Sequence, residues 1–126
     1  MTNSDVENWI DAYESAWRSS NAQKLNDIFS ENINYSLSPW KSELQGLAEL
    51  KKFWQKTGTK SERQFETHSR IVAIQNKTAV VRVEVQYTGD TPSSWRDLWI
   101  ITFDSNGLCS HFEEWPFSPV QNDGQK

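Results

Sequence analysis

The sequence predicts an α+β domain, with helices packed on one face of a mainly antiparallel sheet. Two observations carry that prediction. The first half holds apolar stripes at helical spacing, and from residue 62 onward the apolar period changes to two. Turn-rich breaks at Gln75-Asn76-Lys77, at Gly89-Asp90-Thr91-Pro92 and at Asp104-Ser105-Asn106-Gly107 divide the second half into strands that should pair as antiparallel hairpins.

Each element follows in order. Ser4 with Glu7 three residues later forms a capping box, and Val6, Trp9, Ile10, Tyr13 and Trp17 then make one helical stripe. Glu7, Asp11, Glu14, Ser15 and Arg18 occupy the opposite face. Ser20 and Asn21 break and re-cap the chain, and a short second helix is predicted over 22–29 with Leu25, Ile28 and Phe29 inward. Ile33, Tyr35 and Leu37 alternate as a short strand that ends at Ser38-Pro39. A third helix follows Gly46, with Leu47, Leu50, Phe53 and Trp54 as its apolar positions, and stops before Gly58.

Four strands are predicted at about 63–75, 78–88, 94–104 and 108–115. Ala79, Val81, Val83, Val85 and Tyr87 share one face of the second, and Trp95, Asp97, Trp99, Ile101 and Phe103 share one face of the third. In the last strand, Phe112 inward puts Ser110 and Glu114 inward too, with Cys109, His111, Glu113 and Trp115 on the other face. Phe112 and Trp115 cannot both be buried on one face, so burial of both requires a bulge or the use of both faces. Residues 1–118 are expected to form a single domain, with 119–126 a disordered tail.

The 126 residues are 36% hydrophobic, and their apolar matter is concentrated in seven Trp, six Phe and three Tyr. Large rings bury more area each than other side chains, so a few of them can build a core in a polar chain. The formal charge of −4 offers no basic field for a phosphate backbone, so nucleic acid is not an expected partner. No apolar run has membrane-spanning length, and the N-terminus has no signal-peptide pattern, so no membrane partner is expected either. The single Cys109 fits a reducing, cytoplasmic setting and reads as a buried or interface thiol. No phosphate-binding glycine loop, HExxH motif or short histidine spacing is present, so no metal or other cofactor is expected, and His68 and His111 read as surface residues.

The order helix, helix, strand, helix, then four long strands resembles the SnoaL-like branch of the nuclear-transport-factor-2-like superfamily. The likeness spans roughly residues 5–118. It is carried by Ala12-Tyr13 through Trp17-Arg18, Leu25 to Phe29, Ser38-Pro39-Trp40 and Gly46 to Trp54. Above all it rests on Arg96-Asp97-Leu98-Trp99-Ile100-Ile101-Thr102-Phe103-Asp104 and Phe112-Glu113-Glu114-Trp115-Pro116-Phe117. The resemblance implies a cone-shaped half-barrel, with three N-terminal helices on a curved sheet and an apolar pocket between them, open at one end. It also implies a homodimer through the outer sheet face, where Leu98 and Ile100 would lie. The fold hosts isomerases, cyclases, dehydratases, hydrolases and binding modules, so it does not by itself name a function.

Three residues are candidates for chemistry. The resemblance to ketosteroid isomerases gives Tyr13 the part of an oxyanion donor; the plainer reading is a core tyrosine bonded to a carbonyl or water. The rest of that isomerase site does not carry over, since its general base would fall on Leu37 or Ser38 and its second oxyanion donor near Trp99. Glu114 matches the acidic group near the end of the last strand in SnoaL-type polyketide cyclases. Among Trp and Phe rings its pKa should rise toward neutrality, unless it is tied to Arg96 or Arg70 or lies at the solvent rim. Asp97 lies between Trp95 and Trp99 on an apolar face, where a carboxylate is costly unless paired or functional. It could replace Glu114 as the pocket's acid, work with it, or sit in a structural ion pair.

Neither the dehydratase histidine pair nor the epoxide-hydrolase Asp-Arg-Asp relay can be mapped onto this chain. Trp17, Tyr35, Trp40, Trp54, Trp99 and Phe112 are the candidate ligand-binding rings; the plainer reading is core, which the pattern favours for Trp17, Trp54 and Trp99 and leaves near even for Tyr35 and Trp40. Trp40, after Pro39, is expected near the pocket mouth. The function expected is binding of a small apolar or aromatic molecule, with cofactor-free acid–base chemistry of isomerase, cyclase or hydrolase type. The alternative is a non-catalytic binding or association module with a filled interior.

Overall fold

The computed structural model describes residues 1–19, 21–57, 64–89 and 91–121. Helix α1 runs Asn3–Ser19, and a 3-10 helix spans Ala22–Asp27. Strands β1 (Phe29–Ser36) and β2 (Leu44–Gln45) precede helix α2 (Leu47–Thr57). Strands β3 (Phe65–Gln75), β4 (Thr78–Tyr87), β5 (Ser93–Phe103) and β6 (Cys109–Phe117) complete the chain. They form one six-stranded sheet in the order β2-β1-β6-β5-β4-β3. Strand β1 runs parallel to β6, and every other neighbouring pair is antiparallel.

The fold class is the α+β one, with the N-terminal helices packed against the sheet. Local details differ from the sequence expectation. The reciprocal cap on α1 is formed by Thr2 and Asp5: the Thr2 backbone N–H donates to Asp5 Oδ2 at 2.9 Å, and the Asp5 N–H donates to Thr2 Oγ1 at 3.2 Å. The Ser4–Glu7 pair sits two residues too deep, inside the helix. The second helix is a short 3-10 piece capped by Asn21, and Phe29 already belongs to β1. The breaks expected at Ser20 and Gly58, the strand start at 63, Asp90 of one turn and 122–126 of the tail lie outside the described residues.

The core forms where the stripe of α1 meets the inner faces of β1, β4, β5 and β6. Val6, Trp9, Ile10 and Tyr13 are buried on α1, as are Ala79, Val81, Val83 and Val85 on β4 and Trp99, Ile101 and Phe103 on β5. Burial of each such side chain contributes about 1.5–3 kcal/mol. The rings interlock: Trp9 stacks on Tyr13 at 5.2 Å, Tyr35 on Phe112 at 4.8 Å and Trp17 on Phe65 at 4.0 Å. The Trp9 indole N–H donates to the Ile28 carbonyl at 2.9 Å, which pins α1 over the start of β1.

Strand β6 is not a regular ribbon. Thr102 pairs with His111 and Phe103 with Cys109, so Ser110 is an extra residue in the ladder. The bulge turns both Cys109 and Phe112 into the core, where each is fully buried. The expected parity therefore holds for Glu114 and Trp115 but fails for Cys109, which faces inward.

Candidate functional site

Beyond the filled part of the core, toward the ends of α1 and β4 and the start of β5, lies a cavity of about 430 Å³. Tyr13 and Trp17 of α1 reach it from one side, and Phe53 and Trp54 of α2 from another. Tyr35 and Leu37 come from β1 and its continuation, Val85 and Tyr87 from β4, Trp95, Asp97 and Trp99 from β5, and Glu114 and Pro116 from β6. Eight of these thirteen residues are aromatic, and the only charged side chains among them are the two carboxylates.

Strand register brings the carboxylates together. Trp99 pairs with Glu114 and Asp97 with Pro116, so Asp97 and Glu114 are diagonal neighbours on the inner face of β5 and β6. Their Cα atoms are then about 7–8 Å apart. Asp97 is 7% exposed, and its Oδ1 has no hydrogen-bond partner. Burial raises its pKa from 3.8 to about 6, against the pull of the Trp99 side chain and the Phe117 backbone. The Trp99 indole N–H nevertheless makes no hydrogen bond of acceptable geometry.

Glu114 is shifted further. Burial, and secondarily the Asp97 charge, raise its pKa from 4.5 to about 8. The arginine partners considered for it lie elsewhere, since Arg96 pairs with Glu84, while Arg70 is exposed. Among the described residues neither Asp97 nor Glu114 belongs to an ion pair. Burial raises both acids, and the Asp97 charge raises Glu114 further, so the pair tends to keep a proton near neutral pH, as suits a shared acid and base.

Across the cavity the Tyr13 and Tyr35 hydroxyls share a hydrogen bond of 2.6 Å. Burial raises both pKa values well above the usual phenol value, so both hydroxyls stay protonated. The Glu114 charge reaches both of them, a sign that acids and phenols face the same space. One bond between two hydroxyls uses one of their two protons, leaving the second able to donate to Glu114 or to a bound molecule.

The candidate residues thus divide. Tyr13, Trp17, Tyr35, Trp54, Asp97, Trp99 and Glu114 all line the cavity. Phe112 does not: it is fully buried beneath it, stacked on Tyr35. Trp40 is 96% exposed and away from the lining, so the expectation that it borders the pocket mouth is corrected. Its strand ends at Ser36, and the turn that follows carries it outward. Leu37, Phe53, Val85, Tyr87, Trp95 and Pro116 also line the cavity and are not among the sequence candidates. Alternation puts Val85, Tyr87 and Trp95 on the inward faces of β4 and β5, but nothing in the pattern separates cavity wall from core.

The histidines and the cysteine lie elsewhere. His68 is exposed, and His111 Nε2 is 2.9 Å from Glu113 Oε1, outside the cavity lining. Among the described residues no three His, Cys, Asp or Glu side chains cluster as metal ligands. Cys109 is buried, which raises its thiol pKa, and it donates to the His111 carbonyl at 3.3 Å.

Comparison with known proteins places this geometry. The family model described as a SnoaL-like domain matches residues 6–112. The chain belongs to the SnoaL-like domain family. No curated protein matches it. Among solved structures, a ketosteroid isomerase-like protein from Erwinia carotovora atroseptica superposes with a TM-score of 0.71 at 16% identity, covering 92% of this chain and 96% of the other. An NTF-2 like protein of unknown function from Burkholderia xenovorans gives 0.71 at 16%, covering 96% and 89%. The epoxide hydrolase/cyclase-like enzyme SalBIII, of pyran ring formation in the polyether salinomycin, gives 0.69 at 14%, covering 88% and 89%. At such identities these SnoaL-like and nuclear-transport-factor-2-like relatives establish the shared fold and nothing finer.

Proposed function

We propose that this SnoaL-like domain binds a small, largely apolar or aromatic molecule in the cavity and carries out cofactor-free acid–base chemistry on it. Asp97 is the base, Glu114 the acid, and the Tyr13–Tyr35 pair donates a hydrogen bond to oxygen charge that develops on the substrate. The observation that carries this reading is a pair of carboxyls inside an aromatic cavity with no counter-ion among the described residues. A merely structural acid pair would leave two desolvated carboxyls without an opposite charge to offset their burial. The isomerase, cyclase and hydrolase types share this need for a proton acceptor and a proton donor at one substrate. An open cavity of about 430 Å³ also weighs against the alternative of a filled association module.

The test is binding followed by turnover. Small aromatic carbonyl compounds and epoxides should quench or shift the fluorescence of Trp17, Trp54, Trp95 and Trp99. Turnover of any that reacts should fall by about 10²-fold or more in Asp97→Asn and Glu114→Gln, with binding retained. Binding without any turnover across such a panel would favour a non-catalytic pocket.

The same reading includes a homodimer through the outer sheet face. Leu98 and Trp115 face each other there across β5 and β6, and Phe117 is exposed beside them. A cytoplasmic setting completes the reading, resting on the single buried cysteine. No helix among the described residues is long and apolar enough to cross a membrane.

A further inference from the structure

The cavity's charge is one-sided. Among the described residues, Asp97 and Glu114 line it and no Lys, Arg or His does. Asp97 is 93% buried, taking its 7% exposure, and Oδ1 has no partner. A buried carboxylate oxygen without a donor is costly unless something occupies the space in front of it. The groups that face the acids from the other elements are the hydroxyls of Tyr13 on α1, Tyr35 on β1 and Tyr87 on β4, while α2 contributes Phe53 and Trp54. The Tyr13 and Tyr35 hydroxyls stay protonated, since burial raises both pKa values well above the usual phenol value.

The rest of the wall is built of π systems. Trp17, Phe53, Trp54, Tyr87 and Trp95 are half-buried, so they form the part of the wall that meets solvent on the way to the acids. Aromatic rings attract cations through their quadrupole, most strongly where water is excluded, and Trp does so best. A neutral apolar ligand would strip water from both carboxyls and offer nothing in return, and an anion would be repelled by Asp97. An organic cation answers both features, as its charge pairs with the acids while its apolar body lies on the rings.

From this we infer that the cavity of this protein selects an organic cation, a protonated amine or quaternary ammonium carried on a small apolar or aromatic body, with Asp97 and Glu114 as its counter-ions. The inference rests on the small-molecule reading above and names the class of molecule within it. With a cation that cannot react, binding draws Glu114 toward its ionised form and a proton leaves to solvent. With a substrate, that proton is the one Glu114 gives as the acid, so Asp97 alone is the counter-ion at the start of the reaction. Cation affinity therefore rises with pH through the values near 6 and 8 at which the two acids ionise.

The probe is benzyltrimethylammonium, whose charge does not titrate, compared with neopentylbenzene, its neutral isostere of the same shape. Both are titrated into the whole chain, followed by tryptophan fluorescence, with calorimetry of the cation in buffers of different ionisation enthalpy. The cation should bind at least about tenfold more tightly than the isostere. Its affinity should increase from acid to alkaline pH, and its binding heat should vary with buffer as a proton is released. Asp97→Asn and Glu114→Gln should each weaken the cation about tenfold without weakening the isostere, whose binding no longer strips water from that charge. These isosteric changes remove charge without removing volume, and the ligand comparison in the unaltered chain stands even if a variant misfolds. Equal or tighter binding of neopentylbenzene overturns the cation inference and leaves the small-molecule reading intact. Failure of both probes to bind overturns the inference and counts against that reading as well.

Discussion

At the scale of single residues, the carboxyl pair should leave a signature in stability as well as in chemistry. Both folded-state pKa values lie above the ordinary ones, 3.8 rising to about 6 for Asp97 and 4.5 to about 8 for Glu114. Above the ordinary values the unfolded chain has given up protons that the folded chain still holds, so folding loses stability as pH rises. The contribution is intact below about pH 4 and is lost as pH passes 6 and then 8. Relative to Asp97→Asn/Glu114→Gln, the natural chain should therefore lose a few kcal/mol between about pH 5 and pH 9, at about 1.4 kcal/mol per pKa unit. Urea unfolding of both proteins at the two pH values checks this, and a constant difference would refute it. The tyrosine pair makes a separate prediction. Tyr13→Phe or Tyr35→Phe alone strands a buried hydroxyl and should cost about 1–3 kcal/mol, while the double change costs less than the sum. A thermodynamic double-mutant cycle measures that coupling directly.

At the scale of elements, what was legible in the sequence is what regular periodicity encodes. The stripe of α1 and the alternation of β4 and β5 identified the buried faces, because one face of each meets a continuous core. Alternation also put Asp97 on the inward face of β5. Local irregularities were not legible. The Ser110 bulge adds one residue to β6, and no residue type in Cys109-Ser110-His111 announces it; only pairing with β5 fixes it. Strand β2 is two residues long, too short to carry a pattern, and it is held by pairing with Asn34 and Tyr35. Trp40 was misplaced for a related reason, as loop direction after Ser36 is set by tertiary contacts rather than by Pro39. Gly46, by contrast, has a requirement that can be tested. It joins β2 to α2 at φ +91°, donates to the Ile33 carbonyl at 2.7 Å, and an added Cβ would meet only the Glu31 carbonyl at an ordinary 3.7 Å. Gly46→Ala should thus cost about 1–2 kcal/mol through backbone strain alone, read by thermal or urea unfolding.

At the scale of the whole molecule, the sheet separates two tasks. Its inner face carries the core and the cavity, and its outer face presents Leu98, Trp115 and Phe117 to solvent. If that outer face joins two copies, light scattering should give about twice the 14.7 kDa of one chain, and Leu98→Glu/Trp115→Glu should return it to 14.7 kDa. The seven tryptophans divide along the same lines. Trp9 belongs to the core, while Trp17, Trp54, Trp95 and Trp99 line the cavity. Trp40 and Trp115 are exposed. Composition alone could not separate those uses; the proposal of a site rests on two carboxyls among the rings that have no counter-ion among the described residues. The measurement that tests this most directly is a carbon-13 NMR pH titration of the Asp97 and Glu114 carboxyl carbons, each assigned with its Asn or Gln variant. The account predicts one carboxyl titrating near 6 and the other near 8. Both titrating near the ordinary 3.8 and 4.5 would contradict it.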